Sequence, residues 1–491
     1  MTHPPVVATD LGQVRGVSLG GGAAAFRGIP FAAPPIGALR WREAQPAHPW
    51  LGVFDASAFG VACPQIAAPG AEPLPQGEDC LTLNIVTPDA GATGLPVLFS
   101  IHGGAFFVGS GRYIADKDLS PMVRRGVVLV SANYRLGRFG FLSHPALTAE
   151  AGRGTGNFWL SDQIAALQWV RRNIAGFGGD PARITILGCS AGGSSVNALL
   201  ASRQAKGLFG QAACHSGGGM FNAARTLARA EEQGVAFARR CGIADDDPDA
   251  LARLRALTPQ EILAGDPGPP DFGAIVEGHF IDRPVAIGFA EGRRAPVPLI
   301  VGSTGNEASI FGMMGFDAAT LKARFDIDLD QLREVYEEDG PLPDAELLRR
   351  VQTDFLFTSA SLGLAVLAAR TAPTWAYHFD YVPPRQRGVR PGASHCADMP
   401  YIFADDARRG EEDAAIADER QRYWYNFIAT GDPNGPDVAA WPPVTAGRVV
   451  ALTTDETSRT TPAPHARRMR YWHDRWARET GMPDHFSVAG G

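Results

Sequence analysis

The chain has 491 residues, of which 45% are hydrophobic and 20% are charged, and its formal net charge at pH 7 is −7. This composition predicts a globular protein with a large core, and the negative charge argues against a nucleic-acid partner, which would require a basic surface. No stretch approaches about 18 consecutive apolar residues, so no membrane-spanning helix is expected.

Short apolar runs alternate with helical patterns along the chain. Three of these runs are continuous, as expected of parallel strands buried on both faces: residues 97–101, 127–131 and 297–301. Apolar residues recur at helical spacing over 164–174, and Gly176 is placed to end that helix. This alternation predicts an α/β protein with a mostly parallel sheet, whose ligands bind beyond the carboxyl ends of the strands.

The most informative stretch is 188–193, whose sequence is Gly-Cys-Ser-Ala-Gly-Gly. It follows a β-branched strand at 183–187 and precedes a helix of small residues at 194–200. A strand, a tight Gly-x-Ser-x-Gly turn and a helix form a nucleophile elbow, in which the glycines avoid collisions and the serine is held above the sheet. Ser190 is therefore the predicted nucleophile, and the N-terminus of the following helix favours negative charge beside it.

A serine nucleophile also needs backbone N–H groups that stabilise the oxyanion of the tetrahedral intermediate. The segment 102–106, His-Gly-Gly-Ala-Phe, follows the strand at 97–101, like the glycine-rich motif of lipases and esterases. We expect the N–H groups of Gly103, Gly104 and Ala191 to form this oxyanion hole. The histidine of the segment is expected to fix the loop rather than to act as a base.

In this arrangement the acid and the histidine follow the nucleophile along the chain. His395 is the best candidate for the base, because it lies on a loop just before the apolar run 399–403, whereas His378 lies within a predicted strand. Glu307, just beyond the strand at 297–301, is the best placed acid. On chain order alone, three other carboxylates remain open as the acid: Asp271, Glu277 and Asp380.

Further ordered blocks extend along most of the chain. They are 26–35, Glu78-Asp79-Cys80-Leu81-Thr82-Leu83-Asn84, Asn133-Tyr134-Arg135-Leu136-Gly137, Phe177-Gly178-Gly179-Asp180-Pro181 and Gly431-Asp432-Pro433-Asn434. With these blocks the chain resembles the type-B carboxylesterase family of the α/β-hydrolase fold, which includes cholinesterases and bacterial para-nitrobenzyl esterases. The resemblance extends from Gly12 to Trp441.

This resemblance implies a single α/β-hydrolase catalytic domain, 1–491, with a large, mostly parallel twisted sheet, helices on both faces and helical insertions over the active site. It implies a catalytic triad of Ser190, Glu307 and His395, the same three residues that chain order favours. It also implies that Ser195 is the buried hydroxyl that supports the acid. No metal and no organic cofactor is needed, and motifs with metal-ligand spacing are absent from the sequence.

Three residues differ from the family pattern as the resemblance implies it. Cys189 stands where relatives usually have a glutamate, His215 where they have a glutamine, and Trp159 where they have a glycine. The resemblance places Cys189 near the segment after the base, which contains Asp398. We expect a neutral Cys189 thiol to stabilise the imidazolium of His395 less than a glutamate would.

Two further sets of residues are given expected roles. Aromatic side chains near the motifs are candidate walls of an apolar substrate pocket: Phe106, Phe107, Trp159 and Phe311. The resemblance implies that Cys63 and Cys80 lie close enough to form a disulfide bond, because relatives close a loop between the matching positions.

The expected activity is hydrolysis of carboxylic esters, aryl or short-chain alkyl, through an acyl-enzyme intermediate. Carbamate or amide hydrolysis by the same triad is an alternative, and a non-catalytic, cholinesterase-like binding protein is a weaker one. The expected partner is a small-molecule ester, and the protein is expected to be a monomer or a small homo-oligomer. The first residues lack the charged and apolar regions of a signal peptide, which favours a cytoplasmic location.

Overall fold

The computed structural model describes residues 4–66, 73–115, 119–220, 225–266, 272–314, 317–338, 340–405, 409–445 and 449–482. These residues form two units. The first unit is drawn from 1–210 and 224–284, and the second from 211–223 and 285–491. The single catalytic domain expected from the resemblance stays a prediction.

Most of the strands are short and buried. Their bounds are β1 Val6–Thr9, β2 Gly12–Arg15, β3 Val17–Gly20, β4 Ala23–Pro30, β5 Val53–Asp55, β6 Thr82–Thr87, β7 Leu95–Ile101, β8 Val128–Ala132, β9 Gly179–Cys189, β10 Gln211–His215, β11 Arg225–Thr226, β12 Ile275–Val276, β13 Leu299–Thr304, β14 Thr374–Phe379, β15 Val450–Thr454 and β16 Ser458–Pro462.

In the first unit, six strands are hydrogen-bonded in the order β9-β7-β8-β6-β4-β3. β7 lies parallel to both β8 and β9, with Val97 opposite Val128 on one side and Ile184 on the other. β6, β4 and β3 continue the sheet with antiparallel neighbours. The apolar runs predicted as buried parallel strands, 97–101 and 127–131, are thus confirmed, within two residues at each end.

In the second unit, the strand order is β16-β15-β14-β13-β10. β10, β13, β14 and β15 are parallel, and only the edge strand β16 is antiparallel. The run predicted at 297–301 is β13, shifted two to three residues toward the C-terminus. The carboxyl ends of β10 and β13 meet at one edge, because His215 pairs with Gly302.

Helices connect these strands in both units. Their bounds are α1 Arg112–Ala115, α2 Pro121–Arg124, α3 Gly137–Phe141, α4 Pro145–Ala151, α5 Phe158–Asn173, α6 Ala191–Ala201, α7 Leu227–Arg240, α8 Ala250–Ala256, α9 Pro259–Ala264, α10 Val285–Ala290, α11 Phe311–Met314, α12 Ala318–Phe325, α13 Leu329–Tyr336, α14 Asp344–Thr353, α15 Ser359–Ala369, α16 Met399–Phe403, α17 Glu411–Thr430 and α18 Ala466–Thr480.

The end of α5 differs from its prediction. The helix ends at Asn173 and is followed by a 3-10 turn, Ile174–Phe177, so Gly176 lies inside that turn and does not cap the helix. Gly178 closes the turn instead, with a φ of 88° in the left-handed region. A Cβ there would lie 2.8 Å from the carbonyl oxygen of Asp89, which also requires glycine.

One helix among the described residues, Asp344–Ala369, is long and apolar enough to cross a membrane by length and composition. It comprises α14, a π-helical turn at Asp354–Thr358, and α15. Of its most apolar window, 89% is buried inside the protein, as expected of a core helix.

A buried ion pair joins the segment after β8 to α5. Asp162 accepts hydrogen bonds from Arg135 Nε at 2.8 Å, from Nη2 at 2.6 Å and from the backbone N–H of Arg135 at 3.0 Å. The side chains are 0% and 3% exposed. Removing one partner would leave the other buried without its counter-charge, which costs far more than losing an exposed pair.

We predict that Asp162→Ala lowers the free energy of unfolding by about 3–5 kcal/mol, measured by urea denaturation. Arg172→Ala is the control, because Arg172 forms an exposed pair with Asp10 at 2.6 Å. The control should lose about 0–1 kcal/mol. Equal losses of unfolding free energy in the two variants would show that burial does not determine how much the Arg135–Asp162 pair contributes to stability.

Candidate active site

Ser190 occupies the turn between β9, which ends at Cys189, and α6, which begins at Ala191. Its φ of 62° and ψ of −125° lie in a region that costs a non-glycine residue about 1–3 kcal/mol. The side chain is half-buried. The backbone of the predicted nucleophile is therefore strained, which is typical of an elbow that presents its serine hydroxyl.

The glycines on either side of Ser190 permit this turn. A Cβ on Gly188 would lie 2.4 Å from the carbonyl carbon of Gly192, and a Cβ on Gly192 would lie 2.2 Å from the carbonyl oxygen of Ile101. Real Cβ atoms do not approach backbone atoms so closely. The start of α6 can pack against β7 and β9 only because these two positions have no side chain.

The predicted oxyanion loop lies against the elbow. A Cβ on Gly103 would be 2.7 Å from the carbonyl oxygen of Cys189 and 3.3 Å from Cβ of Ser190. Gly104 has a φ of 107°, and Ala105 and Phe106 also have positive φ values, of 49° and 65°. The loop thus turns sharply next to the serine, where backbone N–H groups can point toward a bound oxygen.

His102 supports this loop from within. Its ring stacks on Tyr134 with centroids 4.3 Å apart, and its Nδ1 lies 2.9 Å from the carbonyl oxygen of Gly103. The Tyr134 hydroxyl donates to the carbonyl oxygen of His102 at 2.9 Å. Burial lowers the pKa of His102 to about 4, although its contact with the Gly103 carbonyl opposes the shift. The imidazole is therefore neutral near pH 7 and belongs to the loop scaffold.

In the second unit, Glu307 and His395 form a carboxylate–imidazole pair. Oε2 of Glu307 contacts Nδ1 of His395, and the glutamate has no exposed surface. Its other oxygen, Oε1, accepts hydrogen bonds from the Ser216 hydroxyl at 2.6 Å and from the backbone N–H of Thr304 at 2.7 Å. Nε2 of His395 has no hydrogen-bond partner among the described residues, so it is available to receive a proton.

Backbone contacts fix the loop of the acid to the loop of the base. Asn306, which precedes Glu307, pairs with Ser394, which precedes His395, in an isolated parallel bridge. The N–H of Asn306 donates to the carbonyl oxygen of Ala393 at 2.8 Å. The N–H of His395 donates to Ser309 Oγ at 2.9 Å. These contacts set the register of the two loops independently of the side-chain pair.

The role expected of Ser195 is wrong. Its hydroxyl donates to the carbonyl oxygen of Ala191 at 2.9 Å and accepts from Gln163 Nε2 at 3.0 Å, and neither contact involves the acid. The hydroxyl that supports Glu307 belongs to Ser216. A signal was present, because Ser216 directly follows β10, the parallel neighbour of the strand that precedes the acid.

The other candidate acids have different partners. Glu277 accepts from Asn157 Nδ2 at 2.5 Å and from the N–H of Phe280 at 2.6 Å, and burial raises its pKa to about 7. Asp380 accepts from the N–H of Ala393 at 2.9 Å and thus holds the segment before the base. Asp271 lies outside the described residues.

The cysteine beside the nucleophile is not a thiol. Cys189 is disulfide-bonded, and so is Cys396, the residue that follows the predicted base. The expectation of a neutral Cys189 thiol is therefore wrong. Asp398, expected near Cys189, accepts hydrogen bonds from His215 and Tyr377.

The disulfide expected between Cys63 and Cys80 is absent, since both are free, buried thiols. Their expected proximity is right, because the two side chains are hydrogen-bonded, and this contact together with burial raises the pKa of Cys80 well above its usual value. The sulfur of Cys63 also accepts from the backbone N–H of Leu136 at 3.2 Å. The two thiols thus take part in interior hydrogen bonds.

The aromatic residues predicted as pocket walls belong to two clusters. In the first unit, Phe106 packs against Trp159 and Phe141 with centroids 4.9 and 5.1 Å apart, and Trp159 has no exposed surface. Trp159 therefore supports Phe106 from behind, while Phe107 is half-buried. In the second unit, Phe311 lies 6.0 Å from Phe357, whose ring is 5.0 Å from that of His395.

The described residues contain no group of three or more His, Cys, Asp or Glu side chains that could hold a metal ion. They contain a strained serine beside a glycine loop in one unit, and a buried glutamate paired with an imidazole in the other. These are the parts that nucleophilic acyl transfer requires.

Comparison with known proteins agrees with this geometry. The chain matches the family model described as "Carboxylesterase family" over residues 3–339 and 329–472. It is 34% identical to the para-nitrobenzyl esterase of Bacillus subtilis (strain 168), over 90% of this chain and 93% of that protein. It is 33% identical to the phenmedipham hydrolase of Pseudarthrobacter oxydans, over 99% of both chains.

Solved structures give the same result. A PNB esterase structure superposes with a TM-score of 0.83 at 30% identity, covering 96% of this chain and 100% of that one. A Geobacillus stearothermophilus carboxylesterase, EST55, superposes with a TM-score of 0.80 at 32% identity, covering 95% of this chain and 99% of that one. The predicted α/β-hydrolase fold and the resemblance to type-B carboxylesterases are confirmed.

We predict that Gly192→Ala destabilises the protein by about 1–3 kcal/mol or more, because the new methyl group would meet the Ile101 carbonyl. Gly210→Ala is the control, since a Cβ there would lie 3.4 Å from its nearest neighbour, an ordinary contact. Urea denaturation measures both. A Gly192→Ala variant as stable as the control would contradict the packing described for the elbow.

Proposed function

The chain belongs to the carboxylesterase family and is a carboxylic ester hydrolase, and we propose that it acts through a triad of Ser190, His395 and Glu307. The observation that supports this proposal best is the buried Glu307–His395 pair, which leaves Nε2 of the imidazole without a partner among the described residues. The strained elbow of Ser190 supports the choice of nucleophile.

In the first half of the proposed reaction, Ser190 Oγ attacks the ester carbonyl carbon, and Nε2 of His395 takes the hydroxyl proton. Glu307 keeps the Nδ1 proton on the imidazole and stabilises the imidazolium. The carbonyl oxygen becomes an oxyanion, bound by the N–H groups of Gly103, Gly104 and Ala191. The imidazolium then gives its proton to the leaving alcohol, and the C–O bond breaks to leave an acyl-serine.

In the second half, His395 removes a proton from a water molecule, whose oxygen attacks the acyl carbon. The same oxyanion hole binds the second tetrahedral intermediate. Its collapse returns the proton to Ser190 Oγ and releases the carboxylic acid. Each residue thus performs its role twice, and the scheme uses only the side chains and backbone groups named here.

For the substrate class, we propose aryl or short-chain alkyl esters. Phe107 is half-buried in the glycine loop of the first unit, whereas Phe106 and Phe311 are 5% and 2% exposed. An apolar wall such as Phe107 favours uncharged acyl and alcohol groups. A panel of p-nitrophenyl esters with increasing acyl length, together with matched carbamates and amides, tests this. Faster turnover of a carbamate or amide than of every ester would overturn the preference and leave the triad untouched.

The nucleophile is tested with Ser190→Ala. We predict a loss of about 10⁴–10⁶ in kcat for p-nitrophenyl butyrate, with an unchanged circular dichroism spectrum. Ser194→Ala, on the first turn of α6, should keep most of the activity. Retention of more than a few per cent of turnover by a folded Ser190→Ala protein would contradict the assignment.

The role of Ser216 yields a second prediction. Ser216→Ala removes one donor from the Glu307 carboxylate, and hydrogen bonds to charged groups contribute about 1.5–3 kcal/mol. We expect kcat/KM to fall by about 10-fold to 100-fold. Ser195→Ala is a matched control, because it removes an equally buried hydroxyl that does not contact the acid. A larger loss of kcat/KM in Ser195→Ala than in Ser216→Ala would support the first expectation, that Ser195 supports the acid.

The oxidised cysteines yield a third prediction. When the protein is unfolded without reductant and treated with iodoacetamide, four cysteines should be alkylated, Cys63, Cys80, Cys214 and Cys241, whereas Cys189 and Cys396 should be protected. Reduction of the folded protein should lower kcat, because these two residues adjoin the proposed nucleophile and base. Alkylation of Cys189 without reductant, seen by peptide mass spectrometry, would contradict the oxidised state.

A further inference from the structure

A buried polar cluster lies behind the segment that bears the proposed base, entirely within the second unit. Asp398 comes three residues after His395 and directly before α16. The other members of the cluster come from the end of β10, from β14 and from α17: His215, Tyr377, Arg420 and Trp424. All of them are at most 1% exposed.

The hydrogen bonds of the cluster define the state of His215. The indole N–H of Trp424 can only donate, and it lies 3.0 Å from Nε2 of His215. Nε2 must therefore be an unprotonated acceptor, so the imidazole is neutral and its proton is on Nδ1. That Nδ1–H donates to Oδ2 of Asp398 at 2.6 Å. The Tyr377 hydroxyl donates to the same oxygen at 2.8 Å.

The positive charge of Arg420 lies near the Asp398 carboxylate, but Arg420 does not form a hydrogen bond that would orient this carboxylate. Arg420 stacks over the ring of Trp424 at 4.2 Å, and its nitrogens form no hydrogen bond among the described residues. Its Nη2 lies 3.8 Å from Oδ2 of Asp398, beyond hydrogen-bond distance. The orientation of the Asp398 carboxylate is therefore set by its two neutral hydrogen-bond donors, His215 and Tyr377.

We propose that His215 is a positioning residue for hydrolysis, which fixes the segment of His395 by holding Asp398; this inference rests on the proposed function. His215 and Ser216 are consecutive, and Ser216 donates to Glu307 at 2.6 Å. One strand end thus anchors the acid directly and the base segment through Asp398. A displaced Asp398 would move the start of α16, and with it the imidazole that Glu307 must meet.

The test compares His215→Gln with His215→Met. Glutamine can donate to Asp398 through its N–H and accept from Trp424 through its carbonyl oxygen, whereas methionine has similar length and provides neither contact. We expect His215→Met to lower kcat for p-nitrophenyl butyrate at least 10-fold with KM changed less than 3-fold. His215→Gln should restore kcat to within 3-fold of the wild type. Both are assayed well below their unfolding temperatures.

The outcomes separate this inference from the proposed function. If Ser190→Ala abolishes activity but His215→Met keeps the kcat of the wild type, the positioning role of His215 is wrong and the proposed triad is unaffected. If the Gln and Met variants lose kcat equally, the hydrogen bonds are not what matters, and the inference is again overturned. If the Ser190→Ala protein instead keeps its activity, the proposed function is rejected.

A measurement on the wild type avoids any folding defect of the variants. In protein labelled with ¹⁵N-histidine, the signal of His215, identified by its absence in His215→Gln, should show a protonated Nδ1 and an unprotonated Nε2 at pH 7. An imidazolium or the opposite tautomer would contradict the hydrogen-bond assignment and remove the basis of the proposal.

Discussion

The proposed triad depends on the contacts of the Glu307 carboxylate, which has no exposed surface. A buried carboxylate is costly unless its oxygens are hydrogen-bonded, and here Oε1 has two donors, Ser216 and Thr304, while Oε2 faces the imidazole of His395. This distribution leaves one oxygen free to fix a single imidazole tautomer. The free energy lost by burying the charge is thus offset by contacts that also determine which nitrogen of the histidine can accept a proton.

In the first unit, backbone strain fixes the conformation of the proposed nucleophile. Ser190 is held at a positive φ because β9, α6 and β7 meet at two glycines that have no room for a side chain. Neighbouring residues of the glycine loop, Ala105 and Phe106, also have positive φ values. Packing against the buried strands, rather than local conformational preference, maintains these strained backbone conformations. We expect the strain to hold backbone N–H groups in the orientation that binds an oxyanion.

Much of this was predictable from the sequence, because the decisive features are local. The elbow, the glycine loop and the parallel strands each have a pattern that spans few residues. Support for the acid was harder to predict, because Ser216 contacts Glu307 from the neighbouring strand β10, and this signal appears only once β10 and β13 are known to be adjacent. The same holds for the end of α5, where a 3-10 turn moved the closing glycine from Gly176 to Gly178. The oxidised state of Cys189 likewise depends on tertiary contact.

In the proposed mechanism, the imidazole of His395, oriented by Glu307, takes the proton of the Ser190 hydroxyl held at the elbow. The most direct measurement is a crystal structure of the protein after reaction with diethyl p-nitrophenyl phosphate, which forms a stable tetrahedral adduct with an active serine. We predict phosphorus bonded to Ser190 Oγ, the phosphoryl oxygen about 3 Å from the N–H groups of Gly104 and Ala191, and His395 still paired with Glu307. Phosphorus on another residue, or a different carboxylate on the imidazole, would contradict it.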